Sequence, residues 1–124
     1  MNQEELIEEA TRFLGEFSLS DHGSSAGSVA AALLTRSGKV YTGICIDLPS
    51  GMGFCAEHSA IAEMLKNRET DIELIVAVGE HGILPPCGRC REMMYQINKG
   101  NLRTNVIVGP NKIVQLDTLL PFSG

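Results

Sequence analysis

The chain has 124 residues, enough for one hydrophobic core and too few for two, so residues 1–124 are expected to form a single domain. An apolar fraction of 44% with 20% charged residues excludes a disordered chain. A formal charge of -5 and a pI near 5.1 oppose the basic face that nucleic acid requires, and favour a small-molecule substrate.

The start, Met1 to Glu9, is acidic and lacks the positive region and apolar run of a secretory signal, and no stretch approaches the roughly 18 apolar residues of a membrane span. A cytoplasmic protein without membrane contact is expected. There, cysteines serve as metal ligands or buried small side chains rather than disulfides. From Asn2 to Phe17, Leu6, Ile7, Ala10, Phe13, Leu14 and Phe17 follow helical spacing, with Glu4, Glu5, Glu8 and Glu9 on the solvated side. Ser18 to Ser28 reads as a loop. Val29 to Thr35 and Lys39 to Asp47, joined at Arg36-Ser37-Gly38, predict a hairpin.

Leu48 to Gly53 reads as a loop that leads into Phe54 and Cys55, and Ala56 to Asn67 returns to helical spacing. Ile72 to Val78 is an almost unbroken apolar run, as expected of a strand covered on both faces. After a loop closed by Pro85-Pro86, Gly88 to Lys99 predicts a helix with Met93, Met94 and Ile97 inward and Gly100 as its cap. Asn105 to Val108 and Ile113 to Gln115 are short strands whose tight link permits only antiparallel pairing. The order helix, hairpin, helix, strand, helix, strand, strand gives a three-layer α/β/α sandwich with a five-stranded mixed sheet.

Two stretches carry chemistry: Cys55-Ala56-Glu57 and Pro86-Cys87-Gly88-Arg89-Cys90. Each follows a turn and opens a predicted helix, where unpaired N–H groups and partial positive charge favour the thiolate that binds metal. Cys55, Cys87 and Cys90 can surround one zinc ion per subunit, and three protein ligands leave a fourth tetrahedral position open for water. Glu57, just outside such a ligand set, can take that water's proton and hand it on. His22, His58 and His81 lack paired ligand spacing and read as surface or loop residues.

These stretches resemble the small, three-cysteine type of cytidine deaminase, especially its blasticidin S deaminase relatives. The resemblance spans Ser28 to Gly43, Cys55-Ala56-Glu57, Ile83 to Arg91 and Leu119-Leu120-Pro121. It implies hydrolytic removal of the exocyclic amine of a cytosine derivative, with attack at C4 and Glu57 as proton carrier. It further implies that the Ala56 N–H and the Pro85 carbonyl contact the pyrimidine. A homotetramer is implied as well, in which Phe122 reaches a neighbouring active site.

The departures concern what is bound. Cys45 and Asp47 stand where cytidine deaminases hold the ribose with Asn and Glu, and Gly27 stands where an aromatic is usual. His58 replaces the usual Arg after Cys-Ala-Glu, so the helix termini, with Arg89 or Arg91, are expected to balance the thiolates. Three competing readings remain. All four cysteines would form a closed structural zinc site, Cys87-x-x-Cys90 would be a redox pair, or the substrate would be a base in a nucleic acid.

Overall fold

In the run Ala30–Leu34 the side chains part by alternation. Ala30, Ala32 and Leu34 join one apolar cluster, and Ala31 and Leu33 join another. Leu74, Val76 and Val78 separate from Ile75 and Ala77 in the same way. Both strands are therefore buried on both faces, and helices must cover each side. The computed structural model describes residues 1–20 and 23–123. Asp21 and His22, in the expected loop, and Gly124 lie outside the described residues.

Helix α1 (Gln3–Thr11) covers one face through Leu6 and Ala10. Its start is a capping box: the Glu5 N–H donates to the Asn2 side chain at 2.9 Å, and the Asn2 N–H donates to the Glu5 carboxylate at 2.9 Å. The helix is shorter than its periodicity predicts. From Gly15 onward the backbone pairs with the sheet instead, with the Gly15 N–H on the Gly27 carbonyl at 2.9 Å, and β1 (Phe17–Ser18) follows. Phe13 and Phe17 are left exposed.

The sheet's main body is β3 (Val40–Asp47), β2 (Ser25–Thr35), β4 (Ile72–Gly79), β6 (Asn105–Gly109) and β7 (Lys112–Gln115). Here β4 and β6 are parallel and the other pairs antiparallel, so the sheet is mixed, and β7 runs against β6 as expected. Two short strands extend the five expected ones. They are β1, beside β2, and β5 (Gly82–Leu84), which turns the expected loop after β4 into a hairpin. Helices α2 (Ala56–Lys66) and α3 (Gly88–Ile97), with the short α4 (Leu116–Leu119), lie on the face opposite α1. Gly100 does not cap α3. The chain turns extended at Asn98, whose side chain accepts the Gly100 N–H at 2.9 Å and starts a 3-10 turn.

Two glycines set the geometry near the chemistry. Gly27 has φ +87 within β2, and a Cβ there would collide with the Gly15 carbonyl oxygen, so no aromatic fits. The pairing of β2 with β3 slips between Ala26 and Ala30, which bulges the strand and brings Ser28 beside Cys45 and Asp47. Gly43 lets α2 approach β3 closely, because a Cβ there would meet the Ala60 backbone nitrogen and the Ser59 side chain. A Gly43→Ala variant is expected to lose about 1–3 kcal/mol of stability through overpacking, seen as a lower urea midpoint with an unchanged slope.

Candidate active site and metal centre

Cys55 and Cys87 are the N-cap residues of α2 and α3, and Cys90 lies in the first turn of α3. The Cys87 sulfur takes hydrogen bonds from the start of its own helix, from the Cys90 backbone. The sulfurs also face one another: Cys55 to Cys87 is 3.5 Å, Cys87 to Cys90 is 3.4 Å, and all three lie within 4.8 Å of one another. Zinc–sulfur bonds of about 2.3 Å in a tetrahedron put sulfurs about 3.8 Å apart, so the donor set fits zinc in both chemistry and span. Cys87 is exposed, Cys55 half-buried and Cys90 buried, so the site opens to one side.

Burial is the largest influence on these thiols. It pushes Cys55 up, helped by its contact with Cys87, and it pushes Cys90 far above the ordinary thiol range, helped by the charge of Glu57. At Cys87 burial acts the same way but is outweighed by hydrogen bonds from the Cys90 backbone and side chain, so this thiol is lowered. The helix starts therefore favour the thiolate by themselves only at Cys87. At Cys55 and Cys90 desolvation wins, and the attraction of a divalent cation is required for deprotonation.

Glu57 is buried beside the sulfurs. Burial raises its carboxyl above the usual range, partly offset by its own backbone N–H and by a hydrogen bond with Cys90. It lines a cavity of about 440 Å³ together with Ala56, Pro85, Cys45 and Asp47. Phe122 does not line that cavity and is fully exposed, with φ +60.

Cys45 is buried and outside the metal-ligand group. Its sulfur lies 3.2 Å from the Val29 N–H, 3.2 Å from the Ser28 hydroxyl and 3.5 Å from Asp47 Oδ2. A closed site of four cysteines is therefore not formed. The redox reading leaves Cys55 unaccounted for, although Cys55 stands 3.5 Å from Cys87, against 3.4 Å for Cys90.

Two expectations need correction. His58 is no surface residue. Three positions after Cys55 it returns to the same side of α2, buried, with Nε2 3.5 Å from the Cys90 sulfur. Arg91 does not face the sulfurs. Its guanidinium donates to the Pro86 carbonyl at 2.8 Å and the Leu119 carbonyl at 3.2 Å, bracing the turn before Cys87. Ser28, Phe54 and Arg89 also line the cavity. Gly27, an isolated glycine in a strand pattern, is the signal that could have revealed the bulge and hence Ser28.

Residues 2–106 match the family described as the cytidine and deoxycytidylate deaminase zinc-binding region. The chain belongs to this family. A cytidine deaminase of Halalkalibacterium halodurans is 30% identical over 97 residues, covering 75% of the chain and 74% of that protein. The crystal structure of the cytidine deaminase of Burkholderia pseudomallei superposes with a TM-score of 0.81 at 29% identity, covering 100% of both chains. That of Mycobacterium tuberculosis does so at 0.81 and 26%, covering 99% of this chain and 97% of the other.

The protein is a zinc-dependent deaminase of this family, a hydrolytic enzyme with one zinc held by the cysteine triad. Among the described residues no helix is long and apolar enough to cross a membrane. Zinc analysis is expected to give one equivalent per chain in the wild type and in Cys45→Ser, but much less than one in Cys87→Ser. Retention by both variants would show that the ion sits elsewhere.

Proposed function

We propose that the deaminase converts the cytosine ring of a nucleoside-type substrate to uracil and releases ammonia, with Glu57 as its proton carrier. The observation that carries this reading is one cavity lined by Cys55, Cys87 and a buried carboxyl, Glu57. Cys55, Cys87 and Cys90 hold the zinc, which supplies a Lewis acid that makes water nucleophilic near neutral pH. Glu57 takes the proton of the attacking water and delivers it first to ring N3 and then to the departing amine. As C4 gains oxygen, its bond to the exocyclic nitrogen breaks. The Ala56 N–H and the Pro85 carbonyl orient the base, and both residues line the cavity.

The other end of the cavity takes the substituent on the base. Cys45 and Asp47 line it, and Asp47 is the exposed carboxylate there. A blasticidin S-type substrate is the second reading. The resemblance carried by Pro86-Cys87-Gly88-Arg89-Cys90-Arg91 supports it, and Arg89 of that stretch lines the cavity. The working unit is a homotetramer in which Phe122, which packs against nothing within its own subunit, reaches the neighbouring cavity. The chain forms one domain and acts in the cytoplasm.

Two experiments test this reading. Glu57→Gln is expected to keep its zinc and to lose about 10²- to 10⁴-fold in turnover, followed by ammonia release. Undiminished turnover would remove Glu57 from the mechanism. A panel of cytidine, deoxycytidine and blasticidin S, followed by loss of the cytosine absorbance, is expected to identify at least one substrate. Zinc-loaded protein that turns over none of them would overturn the substrate class.

A further inference from the structure

Three thiolates around a divalent cation leave a net negative charge, and Glu57 adds its own beside Cys90. Of the three sulfurs that of Cys90 is the most buried, with its residue 0% exposed, so water cannot solvate it. A fixed donor would take the place of that water. Arg91 is committed to the carbonyls of Pro86 and Leu119. His58 is well placed to be that donor. Its backbone N–H donates to the Cys55 carbonyl at 3.1 Å, and its ring leans against Phe54 with centroids 6.4 Å apart. Its Nε2 lies 3.5 Å from the Cys90 sulfur.

We propose that His58 is a positioning residue of the metal centre, whose Nε2–H donates to the Cys90 thiolate and ties the ligand on α3 to the helix that carries Cys55. A liganding thiolate has only lone pairs to offer, so the hydrogen must reside on Nε2. The bond has two effects. It draws electron density from the sulfur that solvent cannot reach, and it links the two helix starts through a contact other than the ion. Partners of this kind, one bond removed from a metal, typically change its affinity about 10- to 100-fold. The proposal rests on the cysteine triad and is independent of the role of Glu57, because its test reads metal binding rather than turnover.

The test compares two variants of the 124-residue chain. His58→Phe keeps a flat ring against Phe54 and removes the donor, and His58→Gln replaces the ring but keeps an amide N–H. In competition with a chromophoric chelator, His58→Phe is expected to hold zinc about 10- to 100-fold more weakly than wild type, and His58→Gln to recover most of that loss. Cobalt-substituted protein provides a signature that packing alone would not move. The thiolate-to-metal charge-transfer band should shift to lower energy in His58→Phe and stay near the wild-type position in His58→Gln. Equal zinc affinity and an unshifted band in His58→Phe would overturn the proposal. Should that variant fail to fold, the wild-type protein decides: long-range proton–nitrogen spectra of the zinc-loaded enzyme should show His58 with its proton on Nε2, and a proton on Nδ1 alone would refute the bond.

Discussion

Three sulfurs can share one ion only if two helices begin at the same end of the sheet and are held there. The structure anchors each differently. Helix α2 is held by close approach: Gly43 on β3 leaves room for the Ala60 backbone nitrogen and the Ser59 side chain. Helix α3 is tied by polar groups at both ends. Arg91 binds its first turn to the Pro86 and Leu119 carbonyls. Near its last turn the buried Asn101 accepts the Ile72 N–H at 2.9 Å and donates to the Thr70 and Met94 carbonyls at 2.9 and 3.0 Å. Leaving such buried groups unpaired costs about 1–3 kcal/mol each, so α3 is fixed to the start of β4 by more than apolar contact.

This anchoring sets the sulfurs in surroundings that do not favour their charge. Burial raises Cys55 and Cys90, and only Cys87 is lowered by its own neighbours. A site of this kind binds its ion by displacing protons from its thiols, so metal binding and folding support each other. The same burial serves the carboxyl. Glu57 lies on the first turn of α2, away from water, where a proton is held more firmly than on a surface glutamate. One arrangement of helix starts thus places metal donors and a proton-holding group together.

What is legible in the sequence follows the range of the signal. Cys55, Glu57, Cys87 and Cys90 are spaced within single helix starts, where two or three residues of separation already determine which groups meet. The layered fold is legible because the nearly unbroken apolar runs Ala30–Leu34 and Ile72–Val78 put apolar side chains on both faces, and each face then needs cover. His58 escapes a reading by ligand spacing although its position three after Cys55 carries the answer, since a histidine without a paired histidine can still be the neighbour of a ligand. Ser28 is out of reach for a different reason. Its place depends on a bulge between Ala26 and Ala30, and hence on the Gly15 backbone crossing at Gly27. Strand β5 and the early end of α1 likewise depend on pairing between segments that local periodicity does not register.

The bulge also explains why the part of the cavity lined by Cys45 and Asp47 differs in kind from the part lined by the metal donors. It brings Ser28 and the Val29 N–H onto the Cys45 sulfur, and Cys45 is in turn 3.5 Å from Asp47 Oδ2. A thiol has one donor and a weak acceptor, and both are engaged within the protein. Cys45 can therefore shape this part of the cavity but has little left with which to bind a polar group on a ligand, unlike the carboxamide for which it stands in the resemblance. Asp47 is different. Its contacts with Ser28 and Cys45 both fall on Oδ2, so they orient the carboxylate without consuming all of its acceptor capacity. Under the proposed assignment, recognition of the substituent shifts from two polar side chains to one oriented carboxylate. Such a group discriminates by whether the ligand offers a hydrogen-bond donor or a positive charge, rather than by the full shape of a sugar.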